Sequence, residues 1–270
     1  EEILSPWIGV IHSVVDNPQQ PHVPHLKQLC FTPKYRKTLE RCVGLITLTS
    51  FQKTFLMKNL PVKIPISRLF YPYHPSLKTI HGTPVHERKK LVLVGAFCRD
   101  FAYFLRTRVP AHFKKIILNS SAFQDFAQVL EHKKLSHRIK EVQVLDRLSG
   151  DEYEKLLGSS IVFLSLTHDG AANTIVIECI ATNTPIVAPK LEACMEYLGS
   201  GYPLFYDPNN DDLQCLLSKE NIVKARQYLE TMDKTKFSVS HFQSAFRKTA
   251  VFKSVPYTSK RQSNEDRSPL

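Results

Sequence analysis

Acidic residues are in deficit, with 25 Asp and Glu against 36 Lys and Arg in 270 residues, a formal charge of +11. Long apolar runs are lacking too. Stretches such as that around Ile175 to Ile180 fall far short of the about 18 residues a membrane-spanning helix needs, so no transmembrane segment is expected. The six cysteines, at 30, 42, 98, 179, 194 and 215, form no CxxC pair and no metal-ligand spacing. His22, His25, His74, His81 and His86 sit in loops without ligand spacing, so no metal site is expected. Several cysteines lie in apolar stretches, which reads as reduced, buried and cytoplasmic. No RNP signature, finger spacing or basic run interleaved with aromatics is present, so only the charge speaks for a nucleic-acid partner. The low hydrophobicity that marks disorder is missing as well, since 43% of residues are hydrophobic. The chain opens Glu-Glu-Ile with no initiating Met, signal peptide or pro-region, as a fragment or a trimmed sequence would.

What is present is unevenly spread. Residues 1–90 hold 13 Lys/Arg and 5 Asp/Glu, a balance of +8, whereas residues 91–270 hold 23 and 20, a balance of +3. A basic first part suits an anionic or phosphate-bearing partner, although such an excess also serves solubility alone. Within it, Trp7 to Val15 reads as a buried strand, and Pro18 to Pro24 as an exposed connection. Thr32-Pro33 starts a helix with a basic face through Arg41. Val43 to Thr49 reads as a strand, with Ser50 as N-cap of a helix over Phe51 to Leu60. Val62 to Phe70 is a strand interrupted by Pro65, which suits a sheet edge. From Tyr71 to Glu87, Pro, His and Gly replace the apolar period, and a boundary is expected there.

Strand and helix patterns then alternate cleanly. Strands are expected at 90–94, 115–118, 141–145, 161–166, 185–188 and 204–206. Helices are expected at 99–107, 122–134, 151–157, 173–181 and 192–198, with Ser149 leading into the third. Short buried strands separated by helices predict a doubly wound parallel sheet. The expected organisation is a partial Rossmann-like lobe at 1–75, a linker at 76–87 and a complete Rossmann-like domain at 88–218. Amphipathic helices follow at 219–250, and a loose tail at 251–270.

In such a sheet, ligands lie beyond the carboxyl ends of the strands, where helix N-termini offer amides and a positive dipole. The most informative stretch is THDGAANTIVIECIATNTPIVA, residues 167–188. Gly170-Ala171-Ala172 form a small-residue turn that lets a ligand approach the backbone. Asn173-Thr174 then open a helix whose first amides can cradle a diphosphate. Glu178, four residues after Thr174, shares its face and can accept two hydrogen bonds from a ribose diol. It can equally serve only its own helix.

Residues 177–188 resemble the nucleotide-sugar signature of retaining GT-B glycosyltransferases, especially family 4, in which a Gly-rich turn leads into a Glu-bearing helix and a small-x-Pro-Val/Ile-Val-Ala strand. VQVLDRLSGDEYEKLLGSSIVFLSL (142–166) resembles the unit preceding it there, and Glu192 to Leu198 the helix that follows. The likeness covers about 88–215 well and 1–75 weakly. It implies a GT-B-like α/β fold of two Rossmann-like lobes, and transfer of a sugar from a nucleoside-diphosphate sugar. That transfer would be metal-independent and retaining, with the donor as substrate and no cofactor. The implied donor-binding residues are Gly95, Arg99, Arg147, Leu148, Gly170, Ala171, Ala172, Asn173, Thr174 and Glu178, along with positions 119–121. Arg99 would neutralise the departing diphosphate, although it also suits a plain helix start; no lysine matches the cation the family places beside it. The family sets its two glutamates eight positions apart, but eight before Glu178 stands Gly170; Asp169, one residue upstream, is the candidate substitute.

In the first lobe, WIGVIHS (7–13) resembles the strand whose terminal histidine faces the cleft, which makes His12 the implied catalytic or orienting group beside the sugar, with Arg99 and Asp169. A histidine simply hydrogen-bonded at a strand end is the alternative. The expected acceptor enters through the basic lobe. A whole first domain of this family has further βα units before Trp7, so either the sequence is a piece or that lobe is reduced. A degenerate transferase domain serving as a binding or scaffold module is the other function the residues allow.

Overall fold

Runs rich in Val, Ile and Leu become strands, and the Ser, Thr, Asn and Asp before periodic stretches become helix caps. The computed structural model describes residues 5–17, 25–74, 76–118, 136–166, 168, 171–210 and 212–255. Trp7–Ile11 (β1), Cys42–Thr47 (β2) and Ile66–Arg68 (β3) form a parallel sheet in that order. Parallel pairing needs crossovers. Leu26–Phe31 (α1) and Pro33–Leu39 (α2) join β1 to β2, and Ser50–Asn59 (α3) joins β2 to β3. Among the described residues β3 is an edge strand, as Pro65 before it requires. Thr49 rather than Ser50 caps α3. Thr49 holds extended backbone, its hydroxyl accepts the Gln52 amide at 3.1 Å, and Gln52 bonds back to the Thr49 amide.

The second sheet has six parallel strands: Lys90–Val94 (β4), Lys114–Leu118 (β5), Val142–Leu145 (β6), Ile161–Phe163 (β7), Ile186–Pro189 (β8) and Phe205–Tyr206 (β9). Their order is β6-β5-β4-β7-β8-β9, the Rossmann arrangement, with winding reversed between β4 and β7. Phe101–Arg106 (α4), Gly150–Gly158 (α5), Thr174–Thr182 (α6) and Glu192–Leu198 (α7) connect them. The helix expected at 122–134 lies outside the described residues. Helix α4 starts two residues later than its pattern suggests. Gly95 (φ +79°) and Cys98 (φ +59°) hold the chain in a tight turn, and Asp100 is the cap, accepting the Tyr103 amide at 2.9 Å. Arg99 is therefore a turn residue. Both sheets are parallel and flanked by helices, which is the α/β, GT-B-like pair of Rossmann-like lobes.

Two features tie the lobes together. Tyr197 of α7, buried, donates to the Leu48 carbonyl at 2.7 Å and accepts the Tyr71 amide at 2.9 Å. Beyond Lys219–Thr231 (α8), which buries Ile222, Ala225 and Leu229 on the second core, Val239–Lys248 (α9) and Ala250–Lys253 (α10) return to the first sheet. Residues 251–253, read as the start of the tail, are thus helical. Val251 is fully buried against Gly44, where a Cβ would stand 2.9 Å from its side chain and from the Pro65 carbonyl. No described helix is long and apolar enough to cross a membrane.

Candidate nucleotide site between the lobes

The reversal between β4 and β7 splays their outgoing connections and leaves a crevice at their carboxyl ends. A cavity of about 600 Å³ occupies it. Its floor is Val94 to Arg99 after β4, with Leu166 and His168 after β7. One wall is the start of α6 with Tyr153 of α5; the opposite wall is His12, Ser13 and Val14 after β1. Leu191, Ala193 and Cys194 close it from the α7 side.

Arg99 is the anchored cation of the site. Its Nε donates to the Val94 carbonyl at 3.0 Å, Nη1 to the Phe97 carbonyl at 3.1 Å and Nη2 to Asn173 Oδ1 at 3.2 Å. Gly95 supplies the left-handed backbone (φ +79°) of the turn from which Arg99 folds back. Burial pushes the guanidinium down to about 10, so it stays charged at neutral pH. Asn173 is also the N-cap of α6, accepting the Ile175 amide at 3.3 Å through the same Oδ1. A fixed cation and a helix N-terminus thereby meet at one place, which favours an anion.

One turn deeper, Glu178 accepts a hydrogen bond from the Tyr153 hydroxyl at 2.7 Å. Burial holds the carboxyl above its ordinary range, and the Tyr153 hydroxyl offsets part of that rise. The tyrosine hydroxyl itself is pushed well above its ordinary range, by burial first and then by the neighbouring carboxylate. It is the donor of the pair. Across the cavity, His12 is exposed and meets the Tyr71 ring edge-on, centroids 5.5 Å apart.

The residues singled out in the sequence divide clearly. His12, Gly95, Arg99, Ala171, Ala172, Asn173, Thr174 and Glu178 all line the cavity. Arg147 is exposed and Leu148 packs on the second core; neither lines it. Asp169, Gly170 and positions 119–121 lie outside the described residues. Tyr153 was missed. Its signal was available in the Ser149–Glu152 capping box, which fixes the register of α5 and sets Tyr153 on the face of the buried Leu156 and Leu157. A tyrosine on a core-facing stripe needs a partner for its hydroxyl.

No protein-family model matches the chain, and no curated protein matches it in sequence. Solved structures do match. The Anabaena protein Alr3699/HepE in complex with UDP-glucose superposes with a TM-score of 0.64 at 12% identity, over 89% of this chain and 70% of that one. The lipopolysaccharide-biosynthesis glycosyltransferase WaaG gives a TM-score of 0.58 at 14% identity, over 91% and 76%. The E. coli trehalose-6-phosphate protein bound with UDP-2-fluoro glucose gives 0.62 at 12%, over 88% and 66%.

Proposed function

We propose, from a fold shared with GT-B glycosyltransferases, that this chain is a metal-independent glycosyltransferase using a nucleoside-diphosphate sugar. The observation that carries the reading is the tie between Arg99 and Asn173, which puts a fixed cation at the N-terminus of α6 with Glu178 one turn deeper. That order fits a diphosphate followed by a ribose. In the transfer, the bond from the anomeric carbon to the diphosphate breaks and an acceptor oxygen takes the carbon. The acceptor's proton leaves with the diphosphate or to solvent. Arg99 and the first amides of α6 stabilise the charge that gathers on the leaving group. His12, from the opposite wall, orients the sugar or acceptor, with Asp169 as the candidate carboxylate beside the sugar. Retention of configuration follows from the family likeness. The +8 balance of residues 1–90 supports an anionic or phosphate-bearing acceptor entering from that lobe. The free cysteines, four of the six buried, fit a cytoplasmic setting.

Calorimetric titration with UDP- and GDP-sugars, with Glu178→Ala as control, tests this. Binding weakened by the substitution is the expected result; no binding, or binding indifferent to Glu178, removes the donor site. Gly170 in the place of the family's first glutamate favours a second reading, a domain that binds the donor without transferring it. Donor hydrolysis separates the two, because an active transferase leaks slow hydrolysis and a binding module shows none.

A further inference from the structure

We infer that Tyr153 is the positioning residue of a ribose subsite: its hydroxyl holds one oxygen of Glu178 and presents the other, ionised, to a hydroxyl of the bound nucleotide. This rests on the donor reading above and adds a residue that the signature does not contain. The two side chains come from different helices, Tyr153 from α5 and Glu178 from α6, and both line the cavity. Their contact at 2.7 Å is the one hydrogen bond to this carboxylate among the described residues. Both helices are pinned at their starts, α5 by the Ser149–Glu152 box and α6 by Asn173, so the pair meets at fixed geometry. A carboxylate withdrawn from water loses solvation, and a single well-aligned phenol donor offsets part of that loss while fixing the rotamer. Without it, Glu178 can turn away or take up a proton, and a protonated carboxyl accepts a ribose hydroxyl poorly.

The groups around Glu178 that titrate or carry charge are Tyr153 from α5, Arg99 from the turn after β4 and Cys179 on its own helix. Cys194, His12 and His168 stand on the other cavity walls. The difference between two profiles is therefore the readout, not either one alone.

The experiment is titration of the wild type, Tyr153→Phe, Glu178→Gln and the double variant with UDP and GDP between pH 5 and 8. Ionised Glu178 is the binding form, so affinity is lost as pH falls through its folded pKa. Removing the phenol raises that pKa and moves the loss to higher pH. The expected result is that Tyr153→Phe falls further behind the wild type as pH drops, by about tenfold for each unit its carboxyl is raised. In the Glu178→Gln background the phenylalanine adds no pH dependence. If Tyr153→Phe keeps the wild-type profile, the positioning role is overturned while the donor site stands. Tighter binding at every pH overturns it too, since the phenol would then compete with the ribose. If the wild type binds neither nucleotide, the donor reading itself fails and the subsite with it.

Discussion

On the second-sheet wall of the cavity, Arg99, Asn173, Glu178 and Tyr153 are bonded to one another or to backbone carbonyls; on the first-sheet wall, the exposed His12 has, among the described residues, an edge-on contact with Tyr71 and no hydrogen bond. The second-sheet wall is anchored by six strands, the first-sheet wall by three described strands. Ligand groups common to every turnover need fixed partners, because pre-organisation avoids an ordering cost at each binding event. A partner that varies, or that enters last, is better met by an open wall. On the proposed function, the contrast sets a built wall that would hold the donor against an open one that would meet the acceptor.

The contrast breaks most easily at Arg99. Arg99→Ala removes the cation and unties Asn173, and UDP affinity is expected to fall by at least about a hundredfold, in line with charge-assisted contacts to an oxyanion. Arg99→Lys should recover only part, because a compact ammonium lacks the planar fork whose separate nitrogens reach Val94, Phe97 and Asn173. Calorimetry on the three proteins checks both; affinity kept in Arg99→Ala would mean the anion lies elsewhere.

The next test concerns how the two walls are held opposite one another. Glu196 of α7 accepts from the Ser50 amide at 2.8 Å and the Ser50 hydroxyl at 2.7 Å, and pairs with Arg68. It binds the first residue of a helix of the other lobe, within one turn of the cavity residues Ala193 and Cys194. Arg68 lies over the Phe70 ring, 3.4 Å from its centroid, and its Nε is buried without a partner among the described residues, so losing Glu196 strands a cation. Glu196→Ala should lower stability by about 2 kcal/mol, read as a shift in the urea midpoint. Nucleotide affinity should change less than it does in Arg99→Ala, because the donor wall keeps its own bonds. An unchanged midpoint would show that the lobes are held by Tyr197 and the α9–α10 return instead.

Much of this architecture is legible in the sequence. The second sheet followed from its switching period and from caps written into the sequence, Ser149 before Glu152 and Asn173 before its apolar run. The cavity wall from Ala171 to Glu178 followed from the turn and the helix spacing. What stayed hidden depends on partners far along the chain. Tyr153 meets Glu178 across 25 residues, and Tyr197 meets Leu48 across 149. Helix α10 is four residues long, too short for a period, and only the space over Gly44 shows why Val251 is buried. Helix α3 begins at the Thr49–Gln52 capping box, a local pattern, whereas the contact of Ser50 with Glu196, 146 residues away, is one no local pattern reveals.

The smallest expected effect sharpens the comparison from the other direction. Arg147 shares the family-like stretch that also holds Tyr153, and the resemblance implies it as a donor-binding residue alongside Arg99. Its setting differs: it is exposed after β6 and is not among the cavity-lining residues. An exposed charge is screened by water and salt and gains little over distances of a Debye length, about 8–10 Å at ordinary ionic strength. Arg147→Ala should therefore change UDP affinity by less than about twofold, and that small change should vanish at high salt. A salt-resistant loss of tenfold would instead bring the β6 end into the donor site, and the fixed wall would have to include it.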